Sequence, residues 1–83
     1  MGEVSVTLKI FPEGMDDFEG LKGKIKETLN AKEIGEQDIA FGMKAIIATV
    51  IIEDAEGGSD KLEETASKID GVSQVQVESV DRL

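Results

Sequence analysis

The run Glu53-Asp54-Ala55-Glu56-Gly57-Gly58-Ser59-Asp60 gathers acids around a pair of adjacent glycines, and two chemistries use such a run. Calcium binding needs carboxylates spaced D-x-D-x-D-G with a distant glutamate, and that spacing is absent. A phosphate-cradling glycine turn needs a following lysine, and here a phosphate would meet acids on both sides. The run therefore reads as a turn that caps a helix. The paired carboxylates Asp16-Asp17 and Glu63-Glu64 fall in expected first helical turns, where the helix dipole favours negative charge. With no cysteine and no histidine, the commonest general base is missing, and so are a disulfide framework and a cysteine-ligated zinc site. No catalytic residue, metal or cofactor is expected, and the chain reads as a binding protein rather than an enzyme.

Two places carry recognition chemistry instead. Phe41 stands against Gly42, a large ring beside a backbone free to turn, just ahead of the apolar run Ala45–Ile52. Arg82 is the sole arginine, one residue before Leu83. From residue type alone, Phe41 either closes the bottom of the core or faces a partner, and Arg82 is either a solvated end or a functional cation.

The elements that position these residues repeat one unit. Val4, Val6, Leu8 and Ile10 alternate with polar residues, the period of a half-buried strand, and Pro12 and Gly14 end it. Asp16 with Glu19 signals a helix start. Phe18, Leu21, Ile25 and Leu29 form an apolar stripe, which Gly20 and Gly23 weaken by about 1 kcal/mol each and Asn30 ends. Lys32 to Ala40 fits a short, polar edge strand. The second copy has the strand Ala45–Ile52, a turn through Asp54, Gly57 and Gly58, a capping signal in Asp60 and Glu63, and the stripe Leu62, Ala66 and Ile69. Glu64 and Lys68 form a favourable i,i+4 pair. Gly71 ends that helix, and Val75 and Val77 carry the last strand.

This βαββαβ order predicts an α+β, ferredoxin-like sandwich: one four-stranded antiparallel sheet with two helices on one face. The other face is open, and Ile47, Thr49 and Ile51 point to it. Those isoleucines are either part of a contact surface or ordinary exposed apolar residues. Taking strands one and three to run one way, and two and four the other, Phe41-Gly42 and Asp81-Arg82-Leu83 share one edge of the sheet, roughly 10 Å apart.

Composition bounds the rest. Residues 1–83 make a single domain that buries roughly 60–65% of its unfolded surface, with stability on the order of 4–12 kcal/mol. Met-Gly-Glu runs straight into strand pattern with no basic or apolar leader, so a cytoplasmic protein is expected. No window approaches a membrane span. The net charge of −9, from 18 acids against nine bases, argues against direct contact with nucleic acid. It favours a basic protein surface, or serves solubility alone.

The segment Asp38–Ile46, D-I-A-F-G-M-K-A-I, resembles the signature of translation elongation factor 1-beta, and the ending Asp81-Arg82-Leu83 matches the family's basic residue before a terminal aliphatic. The chain as a whole is similar to the compact, archaeal-type form, with no extra amino-terminal domain. The resemblance implies guanine nucleotide exchange on elongation factor 1-alpha, the GTPase that delivers aminoacyl-tRNA. It implies partner contacts at Phe41, Gly42, Met43, Lys44, Arg82 and Leu83. Eukaryotic members typically carry lysine where Arg82 stands, and the family often has proline at the place of Asp38. Lys44 matches a frequent family lysine or merely flanks the strand.

Other functions of this fold lack their residues. Phe11–Asp17 contains no arginine for an acylphosphatase loop. An RNA-recognition domain would show aromatics on strands one and three among basic residues. A metal chaperone would need C-x-x-C. A small-ligand-binding regulatory domain stays as the alternative, since Pro12-Glu13-Gly14 loosely mimics the glycine-containing first loop of amino-acid sensors.

Overall fold

The computed structural model describes residues 2–14, 16–40, 42–53 and 58–82, with Ser59 in its backbone only. The elements are β1 (Glu3–Pro12), α1 (Phe18–Leu29), β2 (Glu33–Asp38), β3 (Lys44–Glu53), α2 (Gly58–Ser67) and β4 (Val72–Arg82). Phe41, Leu83 and the centre of the acidic glycine turn, 54–57, lie outside the described residues.

Alternation in β1 buries Val6, Leu8 and Ile10 completely. The stripe of α1 buries Phe18, Leu21, Ile25 and Leu29 against them, together with Ile46, Ala48 and Val50 of β3 and Ala66 and Ile69 of the second copy. One core therefore lies between the helices and one sheet face, the α+β ferredoxin-like sandwich. Asn30 ends α1 in the left-handed conformation, φ 53°, its N–H directed at the carbonyls of Glu27 and Lys26. The start of α1 departs from the expected capping box. The cap residue is Asp17, and its side chain makes no capping bond. Its carboxylate lies over Gly20, where a Cβ would come within 2.5 Å of it. Helix α2 begins at Gly58, two residues ahead of the expected signal, which leaves Asp60 in the first turn.

The sheet order is β2-β3-β1-β4, with every neighbouring pair antiparallel. Because β1 opposes both β3 and β4, those two strands run the same way, and β1 and β2 run the other. This corrects the expected directions. Each helix is a crossover between strands that must run in parallel, so the pairs are β1 with β2 and β3 with β4. The 39–43 turn and the end of β4 therefore lie at opposite ends of the sheet.

Strand β4 is longer than Val75 and Val77 suggest. Its pairing with β1 shifts register between Thr7 and Leu8 and between Phe11 and Pro12. Each shift sets an extra residue in β4, so Val72, Val75, Val77 and Val80 all share the face of Pro12, Ile10, Leu8 and Val6 despite their uneven spacing.

Candidate functional site: two separated ends

The turn joining β2 to β3 closes through two backbone bonds. Ile39 N–H donates to the Met43 carbonyl at 3.0 Å, and Met43 N–H donates to the Ala40 carbonyl at 2.8 Å. Gly42 is exposed and takes φ +77°, a conformation that side chains of L-residues rarely adopt. Met43 is half-buried, and Lys44 opens β3.

Beneath this turn lies an ion-pair network that no local spacing announces. Lys44 Nζ donates to Glu36 Oε1 at 3.1 Å, and Lys22 Nζ of α1 donates to Glu36 Oε2 at 2.8 Å. Lys22 also lies 3.6 Å from Glu19 and 5.9 Å from the Phe18 ring centroid. The hydrogen bond from Lys22, then that from Lys44, holds the Glu36 carboxyl below its ordinary range, and Glu36 in turn raises both lysines. Exposed pairs contribute little singly and more as a network. Here the network ties helix α1 to β2 and β3 directly below the 39–43 turn. Glu36 was not among the expected site residues. Fourteen positions separate it from Lys22, and only the β2–β3 register, which sets Glu36 opposite Ile46 on the helix-bearing face, brings them together.

Arg82 is exposed at the last position of β4, paired in register with Val4, which in turn faces Ile52 of β3. Lys44 and Ile52 are eight residues apart along β3, so the level of Arg82 lies about 26 Å from that of Lys44. The expected convergence at roughly 10 Å does not occur. Gly42, Met43 and Lys44 form one candidate contact end, and Arg82 marks another. A cavity of about 310 Å³ at the turn's end, lined by Gly14, Asp16, Asp17, Lys24 and Asp70 among others, is where the alternative small-ligand reading would place its ligand.

Comparison with known proteins gives one consistent result. The sequence pattern of the EF-1 guanine nucleotide exchange domain matches residues 5–83. Elongation factor 1-beta of Methanosarcina barkeri is 45% identical, with the whole of both chains covered. The protein of that name from Methanothermobacter thermautotrophicus is 43% identical over all of this chain and 99% of its own. That of Halorubrum lacusprofundi is 41% identical over the whole of both.

Proposed function

Because the chain belongs to the elongation factor 1-beta family, we propose that it promotes exchange of GDP for GTP on translation elongation factor 1-alpha by binding the GTPase and disturbing its Mg²⁺ and phosphate site. The observation that carries this reading is the match to a guanine nucleotide exchange domain along almost the whole chain, residues 5–83. Exchange of this kind is coupled binding. Whatever factor the protein lowers nucleotide affinity by, nucleotide lowers the protein's affinity by the same factor.

A GTPase holds its nucleotide through phosphate contacts and Mg²⁺. A cation brought to the metal's place repels it. Arg82, exposed at the end of a strand, suits that role. The separation of about 26 Å gives the other end a different task, since both cannot enter one metal site. The Phe41 turn holds the GTPase at a second place, and Lys44, bonded to Glu36, braces that turn more than it reaches the partner. Arg82 keeps the charge of a lysine but spreads it over a planar fork.

The test is Arg82→Ala at two Mg²⁺ concentrations. Melting should stay within about 0.5 kcal/mol of the parent, as for most surface substitutions. GDP release should fall steeply at millimolar Mg²⁺, and the gap should narrow as free Mg²⁺ is lowered. Arg82→Lys should retain much of the activity. Undiminished exchange by Arg82→Ala at millimolar Mg²⁺ would remove the arginine from the mechanism.

A further inference from the structure

The face of the sheet that carries no helix is a second surface with its own chemistry. We infer that this open face docks on a basic, apolar-centred surface of the same GTPase, an inference that rests on the exchange reading above. Its centre is formed by Ser5, Thr7, Ile47, Thr49 and Ile51, all half-buried. Gly35, opposite Ile47 in register, leaves that isoleucine uncovered from the β2 side. Lys9 is the one cation on this face among the described residues. It lies 3.9 Å from Glu78 and 5.5 Å from the Phe11 ring centroid, so its charge is engaged.

Around that uncharged centre stand exposed acids, and they gather toward the Arg82 end. Glu3 faces Glu53 directly across β1 and β3, Asp81 faces Ser5, and Glu33 faces Thr49. Like charges directly opposite one another destabilise a sheet, so a partner's cations placed over Glu3 and Glu53 would relieve a repulsion the fold carries. An uncharged centre that carries Ile47 and Ile51 inside a charged rim has the anatomy of a protein interface. Four strands about 4.8 Å apart and about 30 Å long give roughly 600 Å², close to the roughly 800 Å² that each side of a standard complex buries. The acids bar the competing occupants. Nucleic acid and anionic lipid are repelled, and a second copy would bring the same rim against itself. The surface reaches the end of the sheet that carries Arg82. There Asp81 faces Ser5 on the open side while Arg82 itself, opposite Val4, lies on the helix-bearing side, so docking on this face would bring that strand end against the partner.

The test compares substitutions of equal charge at different places, using the full chain and purified elongation factor 1-alpha, with binding titrations and GDP release both recorded. Glu3→Lys changes the rim and also removes the repulsion with Glu53, so melting should hold or rise while affinity falls about tenfold, the scale of losing a favourable charge contact and gaining a repulsive one. A merely structural role would move both in the same direction. Thr49→Arg places a charge in the centre and should weaken binding at least as much. Glu27→Lys, exposed on α1, makes the same change in net charge as Glu3→Lys and should stay within about twofold. Equal losses for Glu27→Lys and Glu3→Lys would show that only overall charge matters and overturn the docking face. Unchanged affinity in both face variants would overturn it too, with the exchange reading intact. A parent chain that neither binds nor releases GDP would instead overturn that reading, and the docking face with it. Should Thr49→Arg misfold, Glu3→Lys decides alone.

Discussion

The separation of the two candidate ends makes a quantitative claim about energetic coupling. Phe41→Ala perturbs the segment joining β2 to β3, and Arg82→Ala perturbs the end of β4. Lys44, where β3 begins, lies about 26 Å from the level of Arg82, counted along the eight steps from Lys44 to Ile52. That distance exceeds the roughly 8–10 Å over which exposed charges are felt at moderate salt. It also exceeds the roughly 7–10 Å beyond which substitutions usually add within about 0.3–0.5 kcal/mol. The second-order rate of GDP release, measured for the parent, both single variants and the double variant, should therefore close to about a factor of two. Phe41→Ala should act through affinity, costing roughly 2 kcal/mol or more if the ring is an interface anchor, and Arg82→Ala through the limiting rate. A coupling above about 1 kcal/mol would mean that the two residues share one site on the GTPase, and the two-ended account would fail. Loss of fold stability in Phe41→Ala, with normal exchange by the folded fraction, would show the ring to be core.

Three further outcomes follow from the geometry. Gly23 lies within α1 with nothing near its missing Cβ, so Gly23→Ala should stabilise by about 0.5–1 kcal/mol, which for a chain of this length raises Tm by about 3–6 °C in calorimetry. Gly71→Ala should do the reverse, because its φ of +96° and the Leu21 methyl at 3.4 Å oppose a side chain. The hydrogen bonds from Lys22, then Lys44, hold the Glu36 carboxyl below its ordinary range when folded. Its contribution is therefore present above the unfolded value and lost as pH falls through the folded one; a Glu36 carboxyl that titrates by NMR no lower in the folded protein than in the unfolded chain would contradict the network. Association with the GTPase should slow as salt rises, and a rate indifferent to salt would leave the −9 charge to solubility alone.

Much of this fold is legible in the sequence because single elements obey short-range periods. The alternation of Val4 to Ile10, the stripe Phe18 to Leu29 and the stop at Asn30 each depend on neighbours within a few positions, and all three form as expected. What depends on pairing between distant strands is harder to read. The βαββαβ order is evident, but the error in strand directions placed Phe41 and Arg82 together, whereas antiparallel pairing of β1 with both neighbours puts their ends apart. The valines of β4 follow no simple alternation, since two register shifts re-aim them. Glu36 gains its meaning only from a register that sets it between two lysines. Among the candidate contacts, Gly42 and Arg82 are marked by residue type and place in the chain, while the bracing of Lys44 is a tertiary property.

The central claim is tested most directly by the release of labelled GDP from purified elongation factor 1-alpha, with and without this protein, against excess unlabelled nucleotide. The account predicts faster release that saturates with added protein, together with an equal and reciprocal loss of the protein's own affinity when GDP is bound. A release rate unchanged by saturating protein would contradict it.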